Sequence, residues 1–266
     1  MTGKKTVACA TLVTTPAYVI GAQVLGHSVR KSGWKHEMVA MVTSQIGNPD
    51  REKLSRIWDR IVEVGPISNP NSVQNQALAN FPTTYTKLRI WEQTDYEKVI
   101  FIDADAVVLG DFTDLLQRPS FAAAPCMTAP DCFNTGVLVV EPSQEMFVDL
   151  MARRQECYSY DGSDQGFLNG YFPDWFTGDA ARRLPLTYNV PWFLSFYRAG
   201  WDRAKSDIRI LHYCGPQKPW DQRSEWQMKV LYRLIRVFTS LKLADPRPQT
   251  YWTEMHHDLL TSLRNQ

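Results

Sequence analysis

The 266-residue sequence predicts an α/β fold: a mostly parallel, Rossmann-like central sheet with flanking helices and a C-terminal helical tail. Three observations predict it. In the first half, short apolar runs alternate with segments of helical periodicity. The runs are nearly continuous in apolar character, as in strands covered on both faces. After about residue 221 the remaining pattern is helical.

Each element follows in order. TVACATLVTT (6–15) reads as the first strand. A helix starts at Pro16, with Val19, Ala22, Val24, Leu25 and Val29 as its apolar positions. EMVAMVT (37–43) is the second strand, and PDREKLSRIWD (49–59) opens with proline and acids, as helix N-termini do. RIVEVGPI (60–67) is the third strand, ISNPNSVQNQ (67–76) a surface loop, TYTKLRIWEQT (84–94) a helix and KVIFID (98–103) a strand. TGVLVVEPS (135–143) is one more buried strand, and SQEMFVDLMARRQECY (143–158) an amphipathic helix. IRILHY (208–213) is a late strand. SEWQMKVLYRLIRVFTSLKL (224–243) is a long helix, broken by ADPRP before a last helix in YWTEMHHDLLTSL (251–263). Without a repeat, low-complexity tract or linker, the expectation is one domain over 1–266. Its core is about 1–220 and its helical tail about 221–266.

The totals exclude several classes. A formal charge of +1 gives no general attraction to nucleic acid or anionic membrane. The five cysteines are odd in number and lack CxxC spacing, against a disulfide frame or structural zinc. The start mimics a secretory leader, but Thr6, Thr11, Thr14, Thr15 and Pro16 interrupt its apolar stretch. No later run reaches the ~20 apolar residues of a membrane span. The expectation is a cytoplasmic protein with no membrane or nucleic-acid partner. GxGxxG and GxxxxGK[ST] are absent, so any nucleotide is held without a glycine-rich phosphate turn.

Chemistry gathers at the ends of apolar runs. FIDADAVV (101–108) sets Asp103 and Asp105 on either side of the small Ala104. Residues i and i+2 at a strand end project to one side. Ligands collect at the carboxyl ends of strands in open α/β sheets. Two carboxylates there suit Mg²⁺ or Mn²⁺; the competing reading is a solvated turn. His212 ends IRILHY and is either structural or a third ligand, whose nitrogen favours Mn²⁺ over Mg²⁺. Beyond it, Gly215 permits close backbone approach and Lys218 offers a point charge to a phosphate. Asn134, Thr135 and Gly136 precede a strand, where they either close a turn or bond a sugar. Asp161, Asp164 and Gln165 cluster around Gly162, with Ser163 or Asp164 a possible N-cap.

Taken in order, TLVTTPAYVIGAQVLGHSV, TYTKLRIWE, KVIFIDADAVVL, DCFNTGVLVVEPS, DGSDQGFLN, LPLTYNV and LHYCGPQKPW resemble glycosyltransferase family 8, the glycogenin-like retaining enzymes of the GT-A fold. The resemblance covers about residues 6–221. It implies a UDP-sugar donor bound through Mn²⁺ on Asp103, Asp105 and His212. Leu12, Thr14, Thr15 and Tyr18 would line the uracil and ribose pocket, and Lys87 would meet the donor near its phosphates or sugar. Asn134, Asp164 and Gln165 would position sugar and acceptor, and Gly215 and Lys218 would hold the departing phosphate.

Asp164, Gln165 and Lys218 are the catalytic candidates. Asp164 is the strongest nucleophile candidate; front-face displacement is the favoured route. The chain ends soon after these motifs. The resemblance reads that as the compact cytoplasmic α-galactosyltransferase type, which prefers UDP-galactose to UDP-glucose. Its acceptor is a glycan on a cytosolic protein, the SCF ubiquitin-ligase adaptor. The alternatives are a self-glucosylating glycogen primer, with Tyr197 as its tyrosine, and a non-catalytic sugar-nucleotide scaffold. In the tail, Trp226, Val230, Leu234, Val237 and Leu241 form a stripe that docks onto the domain or contributes to a homodimer.

Overall fold

The computed structural model describes residues 5–70, 83–221, 237 and 245–265. In chain order its strands are β1 (Lys5–Val13), β2 (Glu37–Val42), β3 (Arg60–Glu63), β4 (Tyr96–Ile102), β5 (Ala106–Val108), β6 (Ala122–Cys126), β7 (Ala129–Val140), β8 (Val190–Pro191) and β9 (Ile210–His212). The α-helices are α1 (Val19–Lys31), α2 (Asn48–Ser55), α3 (Gln144–Arg153), α4 (Asp164–Tyr171), α5 (Arg198–Ala204) and α6 (Arg247–Arg264).

A six-stranded sheet in the order β3-β2-β1-β4-β7-β6 carries the structure. The pairings β3–β2, β2–β1 and β1–β4 are parallel, whereas β4–β7 and β7–β6 are antiparallel. Hydrophobic pattern reports burial and not strand direction, so the antiparallel half was invisible in the sequence. β1 shows why its run is continuous: Cys9 and Val13 enter the core on one face, Ala8 and Ala10 the core on the other. A separate three-stranded sheet, β5-β9-β8, holds the late strand predicted at 208–213. A third core, with Val107, Leu211, Trp201 and Trp252, packs that sheet beneath α6.

Several boundaries differ from expectation. β3 stops at Glu63, because Gly65 and then Pro66, which has no N–H to donate, follow it. The segment 84–94 is a 3₁₀ helix, Thr84–Glu92, not an α-helix. It is buried around most of its circumference, including Tyr85, Thr86, Lys87, Leu88, Ile90 and Trp91, so packing and not an amphipathic stripe sets its winding. Ser143 caps α3 by accepting from the Met146 N–H at 3.2 Å. The last helix starts earlier than expected, at Arg247. Most of the loop at 67–76 and the helix at 224–243 lie outside the described residues; of the tail stripe only Val237 is described. All five cysteines are free. Among the described residues no helix is long and apolar enough to cross a membrane.

Candidate active site at the junction of the two sheets

Asp103, Ala104 and Asp105 form the turn that carries the chain from β4 in the large sheet to β5 in the small one. The Ala106 N–H donates to the Asp103 carbonyl at 3.1 Å and closes that turn. Same-side projection from a strand end is therefore not what aligns the two acids; the turn is. Thr11 Oγ1 donates to the Ile102 carbonyl at 2.7 Å, and the Asp103 N–H donates to the Gly136 carbonyl at 2.8 Å. Ala104 points into the core. β9 lies beside β5 with His212 opposite Ala106. That register brings the imidazole to the acids.

The ligand atoms of Asp103, Asp105 and His212 all lie within 4.8 Å of one another. His212 Nε2 is 3.2 Å from Asp105 Oδ1 and 3.9 Å from Asp103 Oδ2. Its Nδ1 is 2.9 Å from Asn189 Oδ1. An imidazole lone pair set against carboxylate oxygens is repulsive unless a proton or a cation lies between them. Two carboxylates and one imidazole form a donor set that fits a divalent cation.

Two buried lysines frame the acids. Lys87 Nζ lies 3.0 Å from Asp103 Oδ1 and 3.1 Å from Asp164 Oδ2, and donates to the Thr135 carbonyl at 3.1 Å. Thr135 Oγ1 donates to Asp164 Oδ2 at 2.7 Å. Lys218 Nζ donates to Asp105 Oδ2, and to the Tyr213 carbonyl at 3.0 Å. Lys218 also lies 5.6 Å from the centre of the Tyr18 ring.

Burial works against the charge of both lysines, but Asp103 and Asp164 raise Lys87 and Asp105 raises Lys218 above the ordinary lysine value. Burial also works against Asp105, yet His212 and Lys218 outweigh it and hold its carboxyl well below the usual range. Asp103 moves the other way: burial raises it, and Lys87 offsets only part of that rise. With all three carboxylates ionised and His212 neutral, as a bound cation would have them, Asp103, Asp105 and Asp164 face two ammonium groups, leaving one negative charge for the cation to reverse.

The remaining expected residues divide clearly. Asn134, Thr135 and Gly136 lie within β7 and not before it, where the pairing with β6 shifts register between Ala123 and Ala124. Such irregularities re-aim side chains beside active sites. A Cβ on Gly136 would overlap the His212 ring, so this glycine permits the imidazole to close on the turn. Gly215 has φ +103°, a left-handed backbone that favours glycine, and open space beside it. Ser163 caps α4 by accepting from the Gln165 N–H at 3.1 Å.

Asp161 is not brought to the cluster. Its Oδ1 accepts from the Ser163 N–H at 2.9 Å and the Gly166 N–H at 3.0 Å, fixing its own loop. Gln165 meets Asn134 and the Tyr160 hydroxyl, at 2.7 and 2.9 Å. Leu12, Thr14 and Thr15 stand half-buried at the carboxyl end of β1, leading into Tyr18. Asn189 was missed: it lies within LPLTYNV, but a single asparagine before a two-residue strand carries no pattern of its own.

A cavity of about 170 Å³ opens beside His212, Asn134 and Asn189, walled by Pro191, Phe193 and Cys214. A larger one, about 800 Å³, is lined by Val7 and Lys98 near the opposite ends of β1 and β4, away from the cluster.

The profile of glycosyl transferase family 8 matches residues 9–120 and 117–224. Human glycogenin-2 is 36% identical over 216 residues, 80% of this chain and 43% of its own length. Mouse glycogenin-1 is 35% identical over 222 residues, 82% of this chain and 67% of its own. Inositol phosphorylceramide glucuronosyltransferase 1 of Arabidopsis thaliana is 33% identical over 274 residues, 96% of this chain and 49% of its own. The chain therefore spans from under half to about two thirds of the length of these relatives. The galactosyltransferase LgtC, solved with donor and acceptor sugar analogues, superimposes with a TM-score of 0.57 at 18% identity, covering 94% of this chain and 95% of that one. The fold is thus the GT-A arrangement expected from the sequence.

Proposed function

We propose that this chain, which belongs to glycosyl transferase family 8, transfers a hexose from a UDP-hexose to an acceptor hydroxyl, with retention and with help from a divalent cation. The observation that carries the reading is the convergence of Asp103, Asp105 and His212 within 4.8 Å, with Lys87 and Lys218 beside them. Asp103, Asp105 and His212 would hold the cation. When bound, it would supply charge stabilisation to the departing diphosphate. With it, the cluster changes from one net negative charge to one net positive charge, the sign a diphosphate requires.

The chain's own groups have separable tasks. Lys218 would neutralise charge developing on the leaving phosphate. Lys87 holds Asp103 and Asp164 in fixed positions. Asp164 Oδ2 is engaged by Lys87 and Thr135, which lowers its nucleophilicity. Gln165 is held at both ends of its amide. That environment favours front-face displacement, in which the leaving phosphate accepts the acceptor's proton. Leu12, Thr14, Thr15 and Tyr18 complete the reading as the nucleoside wall.

In its finer form the reading has Mn²⁺ as the cation, UDP-galactose preferred to UDP-glucose and a protein-linked glycan as acceptor. It also includes a homodimer in the cytoplasm. A panel of UDP-hexoses with Mn²⁺ and simple glycoside acceptors, read by nucleotide release, tests it. Turnover should fall below detection with a chelator and return with Mn²⁺. Turnover of no UDP-hexose under any condition would instead favour a non-catalytic scaffold.

A second reading is a self-glucosylating primer. It draws on the glycogenin similarity and on Tyr197, 65% exposed at the start of α5. It requires a gain of hexose mass on the Tyr197 peptide with UDP-glucose, and an unchanged peptide removes it.

A further inference from the structure

One hydrogen-bond chain at the site has a direction that can be read from a backbone N–H. The Gly136 N–H donates to Asn134 Oδ1 at 2.9 Å. A backbone amide only donates, so that atom is the carbonyl oxygen of Asn134. Asn189 meets the same oxygen at 2.7 Å and must do so with its NH₂. Its own carbonyl then faces His212 Nδ1 at 2.9 Å, which requires a proton on Nδ1. A neutral ring so protonated keeps its lone pair on Nε2, the atom turned toward Asp103 and Asp105. In the other direction Asn134 Nδ2 donates to Gln165 Oε1 at 2.7 Å, and Gln165 Nε2 to the Tyr160 hydroxyl at 2.9 Å. Asn189 is buried, and Pro191, two residues on, pairs with His212 in the small sheet.

We infer that Asn189 is a positioning residue whose carboxamide fixes His212 as its Nδ1–H tautomer, Nε2 toward the acids, and joins that ring to Asn134 and Gln165. The inference rests on the cation reading given above. A residue that does not touch the cation then controls its affinity, as outer hydrogen-bond partners of ligating histidines do. The same residue ties the cation site to the Asn134 and Gln165 amides.

The test measures Mn²⁺ binding to donor-free protein, by loss of the free-ion EPR signal, in wild type, Asn189→Ala and Asn189→Asp. It is joined by ¹⁵N NMR of wild type saturated with diamagnetic Cd²⁺, so that a cation and not a proton lies between Nε2 and the acids, with His212 assigned through His212→Gln. Asn189→Asp still offers Nδ1–H an acceptor but has no donor for Asn134.

The inference expects the Nδ1–H tautomer, Mn²⁺ binding weakened about tenfold to a hundredfold in Asn189→Ala, and near wild-type Mn²⁺ binding in Asn189→Asp. With donor present, Asn189→Asp should lose kcat and keep its Mn²⁺ dependence. An Nε2–H tautomer overturns the inference. So does a folded Asn189→Ala with wild-type Mn²⁺ binding, or an Asn189→Asp weakened as much as the alanine variant. Wild type that binds no Mn²⁺ overturns the cation reading instead. Should Asn189→Ala fail to fold, the wild-type tautomer and Asn189→Asp still decide.

Discussion

The molecule contains the same three residue types in two places. Asp105 faces His212 and Lys218 at the sheet junction; Asp258 on α6 faces His27 and Lys31 on α1. The distances are alike: His27 Nε2 lies 3.0 Å from Asp258 and His212 Nε2 3.2 Å from Asp105. The surroundings are not. The Asp258 side chain is 44% exposed and the Asp105 side chain 9%. Asp105 also has a second acid two residues away, and its histidine is anchored through Asn189. Among the described residues, Asp103, Asp105 and His212 are the only grouping of three or more acids, cysteines or histidines able to hold a metal.

The comparison teaches that residue types do not make a site. Water screens the outer trio, which clamps one helix to another for about 1 kcal/mol at most. The inner trio is desolvated, and its charges persist because every one has a partner.

The largest expected contrast is in activity. Asp103→Ala or Asp105→Ala should abolish nucleotide release from a UDP-hexose, whereas Asp258→Ala should leave it unchanged in the same assay. Wild-type turnover in either inner variant would end the distinction. Next comes stability. Lys87→Met leaves Asp103 and Asp164 without their buried cation and should cost about 3–5 kcal/mol in a urea melt. Lys31→Met should cost less than about 1 kcal/mol; equal losses would mean that burial does not separate the two regions.

A smaller effect sharpens the inner site. Gly136→Ala should displace the His212 ring and weaken Mn²⁺ binding in titration of a folded protein, and unaltered binding would contradict the packing argument. The smallest belongs to the outer trio. Hydrogen bonds from Lys31 first, and then from His27, lower the Asp258 carboxyl. A lowered carboxyl contributes stability above its unfolded value, about pH 4, and loses it as pH falls through the folded value. Asp258→Asn should therefore lose a small, salt-sensitive increment at neutral pH and none at low pH, measured by thermal melting.

Much of the site was legible because its residues sit at strand ends within apolar runs. Asp103 and Asp105 interrupt such a run, His212 ends one, and Lys87 and Lys218 fall in motif stretches. Other features lacked a local signal. The turn at Asp103–Asp105 moves the chain between two sheets, and nothing in FIDADAVV says that the strand stops there. Parallel and antiparallel strands carry similar apolar patterns, so the reversal of β7 was hidden. Asn189 acts through partners 23 residues ahead and 55 behind it in sequence, a relation that only the fold creates. Asp161 carries a local role that its place in DGSDQ also suggests: its carboxylate bonds its own loop.

The most direct test is anomalous diffraction at the manganese edge from crystals soaked in MnCl₂ and UDP. The account predicts a peak enclosed by Asp103, Asp105 and His212 Nε2, with the diphosphate against it. A peak at His27 and Asp258 instead, or none between those three side chains, would contradict it.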